Sequence, residues 1–160
     1  VVEAGGIDSL RMIENEELDL AVTNYDDSFS PNLHYRKLFK SEACFCTYPD
    51  HPLAQKKYVD TKDIANEPLV LLNGGFFVNR LIYQNFQQAL TAPKVILHSS
   101  QLHTVKNLIS SQIASSFLMR QAITASDNII PLSLKKPLFY KFRHRHQTRP
   151  ANLRRRTKTH

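Results

Sequence analysis

The sequence predicts an α/β protein, and three observations support this prediction. Short apolar runs rich in β-formers alternate with longer amphipathic segments, an order typical of sheets with mostly parallel strands. Hydrophobic residues make up 42% of the 160 residues, which is enough for a packed interior. No run reaches the roughly 18 apolar residues that cross a bilayer. The length suits one ordinary domain or two small lobes that share a core.

The helices are predicted from apolar spacing and from capping residues. The first covers residues 7–14, directly after the break at Gly5 and Gly6, and its early Asp8 complements the helix dipole. Asp60 could cap a short second helix. The remaining helices are expected over residues 78–90 and after Ser99 and Ser100, which would open the last one.

The strands are predicted from short apolar runs bounded by turn residues. Several runs are long enough to be buried strands, and Gly, Pro, Asn or Asp clusters separate most of them. The predicted strands lie at residues 1–3, 18–22, 34–39, 42–48, 69–72, 94–97, 115–118, 129–132 and 138–142.

The net charge of +7 is concentrated at one end of the chain. Residues 141–160 contain eight Lys and Arg residues and no carboxylate, so the other 140 residues hold 13 basic and 14 acidic groups. We expect these 20 residues to form a solvated, partly disordered end. A contact with phosphates is the alternative, since Lys and Arg release condensed counterions there.

The cysteine and histidine content argues against a disulfide framework and against a metal site. Cys44 and Cys46 are the two cysteines, and their spacing on a strand gives poor disulfide geometry. A reducing, cytoplasmic location is therefore expected. His144 and His146 are the one close histidine pair, too few ligands for tetrahedral zinc, and no cofactor is expected.

The motifs of the common enzyme classes are absent from the sequence. It contains no G-x-S-x-G elbow, H-E-x-x-H pair, P-loop or G-x-G-x-x-G turn. Both cysteines lie in an apolar strand, which favours packing over nucleophilic chemistry. We therefore expect a protein that is not an enzyme.

Small or polar residues follow four of the predicted strands. In open α/β sheets, ligands bind beyond the carboxyl ends of the strands. Each pair taken alone is also an ordinary turn or capping pair, and the prediction depends on their coincidence at strand ends. The candidate ligand-binding residues are Gly5, Gly6, Thr23, Asn24, Asn73, Gly74, Ser99 and Ser100.

Four short motifs, in this order, resemble one known family. They are Glu17-Leu18-Asp19-Leu20-Ala21-Val22, His51-Pro52-Leu53-Ala54, Asp63-Ile64 followed by Glu67-Pro68-Leu69-Val70, and the run from Ser99-Ser100 to Phe117-Leu118. Residues 1–142 thus resemble the effector-binding (substrate-binding) domain of LysR-type transcriptional regulators. The chain departs from that family at Glu16 and Gln112, where glycine is typical, and at Ala114 and Met119.

The resemblance implies a two-lobe, periplasmic-binding-protein-like (type 2) fold with mixed sheets. Lobe I would be residues 1–40 plus 138–160, incomplete at its N-terminus, and lobe II would be residues 41–137. Two crossover segments would join the lobes, one running from residues 34–39 into 42–48 and the other over 137–142. Since the chain begins at Val1 without a signal sequence, we expect a fragment of a longer protein.

The resemblance also implies a function and partners. A small organic effector, such as a carboxylate, would bind between the lobes, and the full-length protein would form dimers or tetramers. DNA would be contacted only through a winged helix-turn-helix domain outside this chain, and no membrane would be involved. The alternative is a binding protein of the periplasmic solute-binding type with no role in transcription.

Overall fold

The computed structural model describes residues 6–24, 33–73 and 77–147. Within these ranges the helices are α1 (Gly6–Glu14), α2 (Phe77–Gln88) and α3 (Leu102–Ser110). The strands are β1 (Leu20–Asn24), β2 (Leu33–Thr47), β3 (Tyr58–Val59), β4 (Pro68–Leu72), β5 (Lys94–Ser99), β6 (Ser116–Met119), β7 (Ile130–Leu134) and β8 (Leu138–Gln147). Short 3-10 helices lie at Pro52–Gln55, Thr61–Ile64, Arg120–Ala122 and Ala125–Asp127. The strand predicted at residues 1–3 lies outside the described residues.

The larger sheet has six strands in the order β1-β8-β2-β7-β3, with β6 also paired to β2. The β4-β5 pair is parallel, and a bridge between Leu69 and Ser115 connects it to the start of β6. Among the described residues, four of the six strand pairings are antiparallel, so the expectation of mostly parallel strands is wrong for this part of the chain. The alternation of strands and helices predicts parallel strands joined by crossover helices. In the structure, however, the strands that pair with β2 come from much later in the chain and run antiparallel to it; they are β6, β7 and β8.

Two predicted strands are one continuous strand of 15 residues, β2. We predicted a break near Lys40 and Ser41, but no Gly or Pro interrupts the run there. Pairing with β8 continues across this point, with a register shift between Lys37 and Phe39. The long β2-β8 ladder therefore joins the β1 side of the sheet to the β6 and β7 side.

The core lies on both faces of the second half of β2. Ala43 and Phe45 face one cluster with α2, whereas Cys44 and Cys46 face a second cluster with α3. Alternate residues of a strand point to opposite faces, so a strand covered on both sides is apolar throughout. Phe117 packs edge-on against Phe45 at a centroid distance of 5.8 Å. A third, smaller cluster holds α1 against β1 through Leu10, Ile13 and Ala21.

All three described α-helices end in a left-handed residue that is not glycine. Glu16, Leu90 and Gln112 have φ of 62°, 55° and 61°. After α1, the amide of Glu17 donates to the Met12 carbonyl at 2.8 Å, the long bond of a Schellman motif. Glu16 and Gln112 stand where the resembled family has glycine, so these turns keep the glycine-type conformation without glycine.

The C-terminal basic segment is partly a strand. We predicted a solvated end over residues 141–160, but residues 141–147 belong to β8 and pair with β1 and β2. That part of the prediction is wrong, because partners far away in sequence supply the backbone hydrogen bonds that the local sequence did not indicate. Residues 148–160 lie outside the described ranges.

Candidate functional site

The clearest convergence of candidate residues is at the carboxyl ends of β4 and β5. The two strands are parallel, and their register places Leu72 opposite Ser99. The Asn73 amide donates to the Ser99 carbonyl at 3.0 Å, so the loops that follow both strands start side by side. α2 and α3 begin shortly after these two strand ends. The structure thus brings Asn73 and Ser99 side by side, and their part in ligand binding remains a prediction.

Ser99 and Ser100 precede α3, but neither of them is its N-cap residue. The helix begins at Leu102, and the residue at its N-cap position is Gln101. Ser99 Oγ accepts a hydrogen bond from the Gln101 amide at 3.1 Å and so shapes the turn before the helix. Ser100 is exposed in the bend between strand and helix.

The other predicted residues are placed less completely. Thr23 and Asn24 are the last two residues of β1 in the six-stranded sheet, opposite Arg143 and Phe142 of β8. Gly6 is the first residue of α1. Gly5 and Gly74 lie outside the described residues. These positions remain predictions of a shared site, and the β4-β5 end is the part whose geometry is defined.

Asn79 is a residue that the sequence analysis missed. It lies in the first turn of α2 and is buried, with 4% of its surface exposed. Its Nδ2 donates to the Leu72 carbonyl at the end of β4. In the described ranges, Asn79 Oδ1 is the buried side-chain polar atom without a hydrogen-bond partner. The signal available in the sequence was its position in the first turn of the helix that follows Asn73.

A cavity of about 260 Å³ lies at the other end of α2, away from these strand ends. Thr61 donates a hydrogen bond to Asn85 in its wall, and Lys136 Nζ donates to Gln88 Oε1 at 3.0 Å. These four polar groups are paired with one another. Because it lies at the opposite end of α2, the cavity is separate from the predicted site. It is lined by Asp60, Thr61, Asn85, Gln88, Ala89, Lys135 and Lys136.

The two cysteines are free and buried in the core. Burial, reinforced by the nearby Glu42 carboxylate, raises the pKa of Cys44 to about 11. Burial also raises the pKa of Cys46. The thiolate is the reactive form of cysteine, so both thiols are poor nucleophiles at neutral pH.

The described residues show neither a metal cluster nor a membrane span. No group of three or more His, Cys, Asp or Glu side chains is positioned there to hold a metal ion. None of the helices in the described ranges has both the length and the hydropathy needed to cross a bilayer.

Solved structures with the same fold include an effector-binding domain and a regulatory domain. The chain resembles the effector-binding domain of QuiR in complex with shikimate, with a TM-score of 0.78 and 20% identity over 91% of this chain and 70% of that one. It also resembles the Synechocystis PCC6803 CcmR regulatory domain in complex with 2-PG, with a TM-score of 0.81 and 16% identity over 91% of this chain and 72% of that one. The periplasmic-binding-protein-like α/β class with mixed sheets is thus confirmed.

The family follows from the sequence comparison. The model of the LysR substrate binding domain matches residues 1–156, and the chain belongs to this family. The match reaches beyond residue 142, where the motif-based resemblance had stopped.

Two curated relatives are transcription regulators. The malolactic fermentation system transcriptional activator of Lactococcus lactis subsp. lactis (strain IL1403) is 26% identical over 74% of this chain and 41% of its own length. The transcriptional dual regulator GltC of Bacillus subtilis (strain 168) is 28% identical over 68% of this chain and 36% of its own length. The chain therefore spans less than half the length of either relative.

Proposed function

We propose that this chain is the small-molecule-sensing domain of a LysR-type transcription regulator and that its effector binds at the carboxyl ends of β4 and β5. The observation that carries the proposal is the pairing of Asn73 with Ser99 beside the N-termini of two helices. Amide groups at a helix N-terminus favour anions. A small organic carboxylate is therefore the proposed class of effector.

Asn79 adds a requirement on the effector. Buried polar atoms are nearly always hydrogen-bonded, and Asn79 Oδ1 is an acceptor without a partner. A hydroxyl or ammonium group on the effector would supply the missing donor. We therefore propose hydroxylated or amino-substituted carboxylates as the first compounds to test.

The rest of the proposed site and organisation follows the sequence prediction. Thr23, Asn24, Gly5, Gly6 and Gly74 would contribute from the remaining strand ends. Residues 1–40 with 138–160 would form one lobe and residues 41–137 the other. The effector would change the lobe arrangement only by binding one arrangement more tightly than another.

The setting of the domain is also part of the proposal. It would act in the cytoplasm, as part of a dimer or tetramer, without catalysing a reaction. That the two curated relatives are transcription regulators supports this proposal over a periplasmic solute-binding role.

A thermal-shift titration of the purified chain tests the proposal. The screen should begin with shikimate and 2-PG and continue through hydroxy, amino and aromatic carboxylates. A ligand that binds only the folded state stabilises it by about 2.7 kcal/mol at roughly 100 times its Kd, so the melting temperature should rise saturably. Mass spectrometry of the mixture should recover the ligand unchanged, and consumption of the ligand would identify an enzyme instead.

Two serine variants, one at each end of α3, test whether the effector binds near the N-terminus of that helix. Ser100→Ala, before the helix, should weaken the ligand-induced shift, and Thr23→Val should do the same from β1. Ser111→Ala, at the opposite end of α3, should leave the shift intact. A full shift in both Ser100→Ala and Thr23→Val would place the effector elsewhere. A folded protein that responds to none of the compounds would contradict the proposed class of effector.

A further inference from the structure

The cavity at the C-terminal end of α2 lies where three elements meet. The end of α2 forms one wall, the 3-10 helix at Thr61–Ile64 with its cap Asp60 forms another, and the turn from β7 to β8 forms the third. Gln88, Lys135 and Lys136 are exposed at this cavity, so a small molecule can enter from solvent. The volume of about 260 Å³ is slightly below the roughly 300–1,000 Å³ of drug-sized ligand pockets, which suits a small metabolite.

Two buried polar side chains line part of the cavity. Thr61 and Asn85 are 8% and 7% exposed, and the Thr61 hydroxyl donates to Asn85 Oδ1. This bond fixes the orientation of the amide. It also leaves hydrogen-bonding capacity for a ligand, because a hydroxyl accepts as well as donates and an amide has two N–H donors. Groups that are already held in place bind a ligand with little further loss of conformational freedom.

The cavity carries charges of both signs that are not paired with one another. Lys135 and Lys136 contribute two cations, and Asp60 contributes one carboxylate. In the part of the chain that the structure describes, none of the ion pairs includes any of these three residues. Lys136 Nζ donates instead to the neutral Gln88 amide at 3.0 Å. A ligand that carries both charges can therefore meet a partner of opposite sign for each of them.

The acidic side of the cavity can accept further donors. The Asp60 side chain caps the 3-10 helix by accepting the backbone amides of Lys62 and Asp63. A carboxylate has about four acceptor positions, so capping leaves about two of them. The C-terminal end of α2 adds the partial negative charge of a helix dipole. An ammonium group is thus favoured on this side, where its N–H groups find acceptors.

We infer that this cavity is a second small-molecule site, separate from the effector site, and that it binds a free α-amino acid with a polar side chain. The carboxylate of the amino acid contacts Lys135 and Lys136, and its ammonium group contacts Asp60 and the end of α2. The polar side chain contacts Thr61 and Asn85. A plain carboxylate leaves Asp60 without a partner, and a plain amine leaves both lysines without one.

This second site and the proposed effector site lie at opposite ends of one helix. Asn79 is in the first turn of α2, whereas Asn85 and Gln88 are in its C-terminal half. The two ligands therefore contact the same helix without competing for the same residues. The inference goes beyond the proposed function and does not depend on it.

The test is isothermal titration calorimetry of the chain with the polar amino acids, beginning with L-asparagine. The titrations are repeated in the Ser100→Ala, Thr23→Val double variant, in which the proposed effector site is weakened. Saturable binding with one molecule per chain should persist in that variant. Loss of binding there would mean that the amino acid is the effector itself, and it would overturn the second site.

Matched analogues test the need for both charges. Succinamate is asparagine without its amino group, and β-alaninamide is asparagine without its carboxylate. Each should bind about tenfold or more weakly than L-asparagine, because each loses one charged contact. If succinamate bound as tightly as L-asparagine, the cavity would be a plain anion site and the inference would be wrong.

An asparagine substitution tests the acidic side without removing the helix cap. Asp60→Asn keeps a good N-cap residue and removes the charge, so it should bind L-asparagine about tenfold or more weakly. Its affinity for succinamate should not fall, and this change in selectivity would not follow from a purely structural role. Asp50→Asn, at an exposed position outside the cavity, is the control and should bind as the parent does.

A pair of glutamine substitutions tests the basic side. Lys135→Gln with Lys136→Gln should weaken the binding of both L-asparagine and succinamate. The control is Lys57→Gln with Lys62→Gln, which removes the same charge at exposed positions outside the cavity and should change little. Equal weakening in the two pairs would show a net-charge effect and would overturn the site.

Melting temperatures without ligand separate binding from folding. Both cavity variants should melt close to the parent, and if Asp60→Asn does not, Asp60→Ser repeats the test with another good cap. A folded chain that binds none of the polar amino acids would overturn the inference, as would binding that neither cavity variant weakens. The effector-induced thermal shift should persist in both cavity variants, so a failure here is distinguishable from a failure of the proposed function.

Discussion

His51 Nε2 lies 2.8 Å from Glu67 Oε2, and this contact joins two of the motifs that carry the family resemblance. His51 Nδ1 accepts the Leu53 amide at 3.0 Å, so the proton of the neutral ring lies on Nε2 and is donated to Glu67. The ring is 4% exposed and packs edge-on against Phe45 and Tyr48. The His51-Pro52 turn and the start of β4 are thereby held together.

Removing either partner should destabilise the fold. Glu67→Ala leaves a buried N–H without an acceptor and should cost about 1–3 kcal/mol, whereas Glu67→Gln keeps an acceptor and should cost less than about 1 kcal/mol. His51→Ala also loses ring packing and should cost about 2–4 kcal/mol. Urea denaturation measures all three. Equal costs for Glu67→Gln and Glu67→Ala would show that the charge matters more than the hydrogen bond.

Leu90 offers a stabilising substitution. It holds φ of 55° after α2 and is 95% exposed, so glycine would relieve the backbone without losing buried surface. Leu90→Gly should raise the free energy of unfolding by about 0.5–1 kcal/mol, measured by thermal and urea unfolding. Ala92→Gly is the control, since Ala92 is exposed without positive φ, and it should lower stability instead. Similar effects of the two glycines would contradict this account of the turn.

Substitution of Asn79 should lower the free energy of unfolding far more than substitution of Asn73. Asn79→Ala removes the bond to the Leu72 carbonyl and should cost about 1–3 kcal/mol in urea denaturation. Asn79→Asp removes the same donor and adds a buried carboxylate, so it should cost more. Asn73 is exposed, and Asn73→Ala should stay within about 0.5 kcal/mol. If Asn79→Ala were as mild as the control, the carbonyl would have to be satisfied in another way.

Asp127 should contribute to acid unfolding. Lys106 Nζ lies 2.8 Å from Asp127 Oδ2, and this contact, with the Thr124 amide, lowers the pKa of Asp127 from 3.8 to about 2. A lowered pKa in the folded state gives stability that is present above the unfolded value and lost as pH falls. The loss should occur between about pH 4 and about pH 2.

Thermal unfolding at stepped pH values measures this contribution. Asp127→Asn should be less stable at neutral pH and should lose less stability than the parent between about pH 4 and about pH 2. Asp50→Asn, at an exposed position, should follow the parent curve. An unchanged acid profile in Asp127→Asn would show that the ion pair does not stabilise the fold.

Local signals predicted much of the secondary structure. The apolar stripe of Leu81, Ile82 and Phe86 predicted α2, which the structure places at Phe77–Gln88. Asp60 caps the predicted short helix. The Asp63 carboxylate accepts a hydrogen bond from the Asp60 amide, which completes a capping box. These features depend on residues a few positions apart, which is the range over which capping and helical periodicity act.

The candidate site was predictable in part. That Asn73 and Ser99 are neighbours follows from the sequence, because residues that come after parallel buried strands meet at one sheet edge. The role of Asn79 was not predicted, because its burial depends on how α2 packs against β4. An asparagine in the first turn of a helix also has many other common roles. The motif resemblance identified the family that the full comparison then showed.

The sequence by itself determined the helices, the Asp60 cap, most strand positions and the family, because these depend on short-range patterns. Only the tertiary structure decided which strands pair, in which direction and with which register. It joined residues 34–39 and 42–48 into β2 and placed Lys141 opposite Lys40. It also kept Glu16 and Gln112 in glycine-type turns. The physical reason is that a ladder's hydrogen bonds connect residues about 100 positions apart, and no local pattern specifies such a partner.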